Sequence, residues 1–226
     1  MDISAFYVIA LFLIISQEVL CFSPGQRQRV MSRGVLSRGV MSMSLTELQE
    51  IDTAIKDCKE VLNRAADKKA EPLEVISSME ALEKLMRKRN KVDESTAEQT
   101  LRNLEGSWKL VFTTGTAGTQ KKLGKINYFP IKAVQSFQTA EMTLNNGIYI
   151  GDFAILQFYG EFDFNMKSRK LEFDFDRVKA FGIQFNLKKG KEAARDKKAF
   201  FNWISSDEYI ATARGGGGGL ALWKRL

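Results

Sequence analysis

The chain has 226 residues, 44% of them apolar and 27% charged, enough for one substantial core or two small ones in a globular protein. It contains no histidine, which excludes Ser–His–Asp triads, Cys–His dyads, histidine-ligated zinc and histidine general bases together. The formal net charge of +7 opens three readings: a nucleic-acid partner, an anionic membrane surface, or a basic targeting segment.

The N-terminus bears on that choice. Residues Ile3 to Ile15 are nearly all apolar, a run too short to span a bilayer but suited to a signal-peptide core. Val19 and Cys21 are small enough to flank a cleavage point, so residues 1–21 read as a signal peptide, although Asp2 stands where a base is usual. A buried N-terminal helix is the competing reading. Residues 22–43 lack acids, are rich in Arg, Ser, Met and Gly, and carry Arg27, Arg29, Arg33 and Arg38. That is transit-peptide composition. A signal segment, then Phe22 and a basic Ser-rich stretch, resembles the two-part presequence of algae whose plastids have extra membranes. It implies a plastid address, a mature chain starting between Phe22 and Leu45, and loss of part of the positive charge with the presequence. Cys21 falls at the presequence boundary and Cys58 on a helix face, so no disulfide is read.

Residues 44–104 are helical by period. Ser44 and Glu47 have capping-box spacing, and Leu45, Leu48, Ile51, Ile55, Cys58 and Leu62 recur at helical intervals. A second helix starts near Pro72, with Leu73, Ile76, Met79, Leu82, Leu85 and Met86 on one face, and ends at the basic Arg87-Lys88-Arg89. A third, capped by Ser95, runs to Leu104.

From Glu105 to Leu226 the period is two. Trp108, Leu110 and Phe112 alternate with Ser107, Lys109 and Val111, and the pattern repeats in Phe158, Phe162, Phe164 and Met166, then Leu171, Phe173 and Phe175, then Phe181, Ile183, Phe185 and Leu187. Turn signals fall at Asn145-Asn146-Gly147, Lys167 to Lys170, and Ser205 to Asp207. Seven to nine short strands with no intervening helical pattern predict an antiparallel barrel with one wet face, preceded by two to three α-helices.

The run from Glu105 to Thr114 resembles the opening strand of the plastid lipid-associated protein (fibrillin) family, and Gly106 and Trp108 are similar to the first-strand signature of lipocalins. Asn146 to Tyr149, the Phe-rich strands and the ending Ser206 to Gly216 follow in that family's order, so the resemblance covers about residues 45–226. The five glycines Gly215 to Gly219 depart from it. The resemblance implies a lipocalin-like β-barrel that binds isoprenoid quinones, carotenoids, tocopherols or acyl lipids at thylakoids or plastoglobules, with no catalytic residues and no cofactor. It also implies a basic residue packed over Trp108, with Arg214 the first candidate and Arg225 the second.

Periodicity alone favours a packed core over a pocket; the resemblance reverses that preference. The expected ligand wall is Trp108, Phe112, Phe158, Phe162, Phe164, Phe173, Phe175 and Phe185, with Arg214, and room for two isoprene units (roughly ten carbons) would contribute about 8 kcal/mol gross. Lys188, Lys189, Lys191, Lys197 and Lys198 form a basic run read either as a solvated loop or as a contact with anionic head groups. Nucleic acid is disfavoured because the aromatics alternate inward instead of forming a stacking platform. The glycine run lacks the Lys-Ser/Thr of a phosphate loop and reads as a hairpin turn. Asp207 and Glu208 make a poor acid–base pair, since strand neighbours point to opposite faces. The alternative function is a structural coat or scaffold on plastid lipid bodies with no internal ligand.

Overall fold

In a computed structural model, residues 43–93, 95–123, 127–187 and 198–226 are described. The presequence segments 1–21 and 22–43 lie outside them except for Met43.

Three helices lead the described chain: α1 (Leu45–Ala66), α2 (Pro72–Arg89) and α3 (Ser95–Leu104). The capping box is complete at α1: the Glu47 amide donates to Ser44 Oγ at 3.1 Å, and the Ser44 amide to the Glu47 carboxylate at 2.8 Å. Pro72 opens α2, where its missing N–H costs nothing. The first turn of α3 is held by Asp93 and not by Ser95 alone, because the Asp93 carboxylate accepts from the Ser95 amide at 3.0 Å.

Nine strands follow: β1 (Gly106–Thr113), β2 (Lys132–Gln138), β3 (Thr143–Ile150), β4 (Phe153–Asn165), β5 (Lys170–Ala180), β6 (Ile183–Asn186), β7 (Ala199–Ser206), β8 (Ile210–Gly215) and β9 (Leu220–Arg225). A short helix, α4 (Ala117–Leu123), separates β1 from β2, where the sequence pattern predicted none. The strands form one antiparallel sheet in the order β4-β3-β2-β1-β9-β8-β7-β5-β6, and β4 also pairs with β5. The sheet therefore closes on itself, with β6 outside the ring as an extra strand on β5. Closure joins the two ends of the sheet and leaves β6 as a short strand with one unpaired side.

One turn placement differs from the sequence expectation. Asn145-Asn146-Gly147 is no turn but the middle of β3, paired with Val134 to Ser136 of β2. The chain reverses instead at residues 139–142. The β7–β8 hairpin turns at Asp207, at the end of the expected Ser205 to Asp207 turn; its carboxylate accepts from the Tyr209 and Ile210 amides, both at 2.9 Å.

Each side of the sheet has its own core. Inside the ring lie Trp108, Leu110, Phe137, Ile148, Phe162, Leu171, Phe173, Trp203 and Trp223 among others. Outside, α1 and α2 bring Leu62, Val75, Met79 and Leu82 against Phe112, Ile204, Ile210, Leu220 and Leu222. Strands β8 and β9 are thus buried on both faces, and their inward positions include the small Ala211, Ala213 and Ala221, which leave room for the indoles. Helices α1 and α2 brace one flank of the ring, while α3 reaches its interior through Leu101 and Leu104.

Candidate ligand-binding site

Aromatic side chains fill the ring from one end up to the hollow at the other. Phe137 packs edge-on against Phe162 at 5.9 Å and Trp203 at 5.7 Å; Trp203 and Phe201 both lean on Trp223, at 5.2 and 5.6 Å. Phe201 stacks on Phe173 at 5.3 Å, and Phe175 touches both Phe173 and Phe158 at 5.4 Å. Such pairs add about 0.5–1.5 kcal/mol each beyond the area they bury. A ring of about eight strands is just wide enough for side chains to fill, and here aromatic rings fill most of it.

Trp108 closes the filled end. Its Nε1 donates to the Leu104 carbonyl at 2.8 Å, which locks the end of α3 onto the start of β1. The guanidinium of Arg225 lies over the indole, 4.2 Å from its centre. Arg225 also donates to the carbonyls of Glu105 at 2.7 Å, Glu208 at 2.9 Å and Asp207 at 3.2 Å, and to that of Asn103, tying α3, β1 and the β7–β8 turn together. The first candidate, Arg214, is displaced from this role. It lies one strand position out of phase, on the outer face, where it donates to both Glu83 carboxylate oxygens at 2.6–3.3 Å and to the Gly218 carbonyl at 2.7 Å. Burial raises the Glu83 pKa, and the hydrogen bonds and charge of Arg214, helped by Arg87, more than offset it, so Glu83 sits below the usual range.

The other end is hollow. A cavity of about 100 Å³ is lined by Leu110, Ala133, Val134, Phe173, Phe175, Phe201, Ala221 and Trp223. Its mouth is framed by Thr113 to Thr116, Thr119 on α4, and the glycine hairpin between β8 and β9. The threonine hydroxyls at this rim have partners: Thr113 Oγ1 donates to the Leu220 carbonyl at 3.1 Å, and those of Thr116 and Thr119 meet at 3.0 Å. Gly219 is required by close approach, because a Cβ there would stand 2.6 Å from the Gly115 carbonyl oxygen. The glycine run is therefore a hairpin turn at the cavity mouth.

Within this apolar wall sit two amides, Gln135 of β2 and Asn146 of β3, directly opposite each other in register. Gln135 is only 5% exposed. Its Nε2 and the Asn146 Oδ1 are buried with no hydrogen-bond partner. Sequence reasoning missed both, reading Asn146 as part of a turn; a polar residue at an inward parity position of β2 was the available signal.

The expected wall residues divide. Phe158, Phe162, Phe164, Phe173 and Phe175 all belong to the inner cluster, and Phe173 and Phe175 reach the cavity itself. Phe112 does not. A bulge between Leu110 and Phe112 inserts one residue against β9 and flips the alternation, so Phe112 faces the helices and packs edge-on to Tyr128 at 5.2 Å. Phe185 is 54% exposed, because β6 pairs only with the far end of β5 and has no strand on its other side. Together with Ile150, Phe153, Phe181 and Ile183, each more than half exposed, it forms an apolar rim on the hairpin tips at the open end of the ring. Lys198 is engaged with Asp163 at 2.8 Å, while Lys188, Lys189, Lys191 and Lys197 lie outside the described residues.

Carboxylates gather on the wet face of β4 and β5, where Glu161 opposes Asp174 and Asp163 opposes Glu172. Lys198 on Asp163 and Lys170 on Glu172, at 2.6 Å, offset the repulsion. Among the described residues no group of three or more acidic or thiol side chains could hold a metal, and no helix is long and apolar enough to cross a membrane.

No family model matches the chain, and no curated protein matches it. Among solved structures, a lipocalin-like protein from Bacteroides uniformis ATCC 8492 matches at 12% identity with a TM-score of 0.36, over 55% of this chain and 99% of that one.

Proposed function

We propose that this chain is a non-enzymatic, lipocalin-like lipid-binding protein of the plastid lipid-associated (fibrillin) kind. It would take one small apolar molecule into the open end of its ring at thylakoids or plastoglobules. The observation that carries the reading is the coincidence of a hollow, aromatic-walled end with a rim of exposed Ile and Phe on the adjoining hairpin tips. Exposed apolar patches of this kind mark contact with membranes or partners. The two-part presequence and the ordered family motifs supply the plastid part of the proposal.

The cavity limits what is enclosed. An apolar cavity of about 150 Å³ holds one benzene, so about 100 Å³ holds roughly four carbons, contributing about 3 kcal/mol gross. That is less than half of the roughly ten carbons expected from sequence. The ring therefore grips the end of an isoprenoid or acyl chain, and the rest emerges through the mouth. Titration of a prenylquinone against a bound apolar fluorophore tests this. Displacement by the wild type and its loss in a folded Phe175→Asp variant support the reading; undiminished binding by that variant overturns it.

The exposed rim also favours the coat reading, in which the tips adsorb on lipid bodies without an enclosed ligand. In that case Phe175→Asp leaves flotation with lipid droplets unchanged and Phe153→Asp with Phe181→Asp abolishes it.

A further inference from the structure

Below the threonines of its mouth, the cavity wall is apolar except at one place. Gln135 and Asn146 stand opposite each other on β2 and β3, both pointing into the ring, and they do not satisfy one another. An amide nitrogen of Gln135 is a donor without an acceptor, and an amide oxygen of Asn146 is an acceptor without a donor. Leaving such groups buried and unpaired costs about 1–3 kcal/mol apiece, so a pair of them in one wall calls for a partner. The neighbouring Thr113, Thr116 and Thr119 hydroxyls are occupied by contacts with the chain itself, which leaves Gln135 and Asn146 as the lining side chains that carry unpaired polar atoms, just beneath the wall.

We infer that the Gln135–Asn146 pair is the head-group site of the cavity, and that it selects an apolar ligand ending in a hydroxyl group. A hydroxyl accepts from Gln135 Nε2 and donates to Asn146 Oδ1 at once. A hydrocarbon end does neither, and a carbonyl or ether serves only the Gln135 donor. A hydroxyl held at this depth points its chain outward past Phe173, Phe175 and Phe201 to the mouth. The inference rests on the proposed apolar-ligand function and adds the ligand's polar end to it.

The test uses two soluble probes of equal size, phenol and toluene, each entering the hollow with the outer edge of its ring left in the mouth, titrated calorimetrically into the full chain and into Gln135→Met and Asn146→Leu variants. Comparing the two probes cancels the apolar contribution they share. One hydrogen bond to a buried group corresponds to about a tenfold change in affinity. Either substitution is expected to raise the ratio of phenol to toluene dissociation constants about tenfold, and each variant is expected to melt at or above the wild-type temperature because an unpaired buried amide is gone. A ratio unchanged within about twofold while both probes bind overturns the head-group site and leaves the apolar cavity standing. Variants that melt well below the wild type overturn it too, since the amides then serve the fold. A wild type that binds neither probe overturns the cavity reading and this inference together.

Discussion

Ala221→Leu moves two measurements in opposite directions if the cavity is real. Ala221 lies on β9 with its methyl at the wall of the 100 Å³ hollow, buried but for a narrow exposure toward it. Leucine adds three carbons, each contributing about 0.8 kcal/mol when buried, so filling the void stabilises the fold by at most about 2.4 kcal/mol. The void itself gives the same ceiling: about 24 cal/mol per Å³ over about 100 Å³ is again about 2.4 kcal/mol. The same three carbons are lost to any ligand, whose affinity should fall by about 2 kcal/mol, or roughly 30-fold. Guanidinium denaturation followed by tryptophan emission measures the first change, and calorimetric titration with toluene the second. A destabilised variant would mean the space is already filled. An unaltered toluene affinity in a stabilised variant would place the ligand elsewhere.

Arg225→Ala removes the cation over Trp108 and leaves several carbonyls short of a donor, so about 2–4 kcal/mol should be lost; Arg225→Lys should recover part of it. Chemical denaturation of both decides, and a loss below about 0.5 kcal/mol for alanine refutes the clamp. Gly160→Ala should prevent folding or cost more than about 4 kcal/mol, because a Cβ there would lie 1.9 Å from the Asp174 carbonyl oxygen at the β4–β5 bulge; wild-type solubility and melting would contradict this. Asp207 gives a pH signature. Burial raises its pKa, but the Ile210 and Tyr209 amides and Lys59 at 2.8 Å more than offset this, so the folded value is lowered. Its contribution is therefore complete above the unfolded value of about 3.9 and is lost as pH falls through the lower folded value. The stability gap between wild type and Asp207→Asn should shrink on acidification below about pH 4; a gap that widens there refutes the assignment.

The helices and most strands were legible because each carries a long, consistent period and local signals such as Ser44–Glu47 and Pro72. Inward Phe residues on β4 and β5 followed from parity, and held as far as Phe175, where the bulge opposite Gly160 adds a residue. Phe112 was misplaced because a bulge is a register event set by the pairing with β9, which no run of single-strand alternation encodes. Phe185 was misplaced because alternation marks an amphipathic strand and says nothing about whether another layer covers its apolar side. Arg214 and Arg225 both follow plausible motifs; only the ring's closure decides which one reaches Trp108. The Gln135–Asn146 pair was hidden by Asn145-Asn146-Gly147, whose turn chemistry is overridden by seven paired positions between β2 and β3.

The most direct test of the central claim is native mass spectrometry of the full-length protein recovered from its source, followed by extraction and identification of what it carries. One apolar molecule with a terminal hydroxyl is expected per chain, with its occupancy sharply reduced in Ala221→Leu. Protein recovered without any bound small molecule, yet still floating with lipid droplets, would contradict it and assign the chain to the surface of lipid bodies.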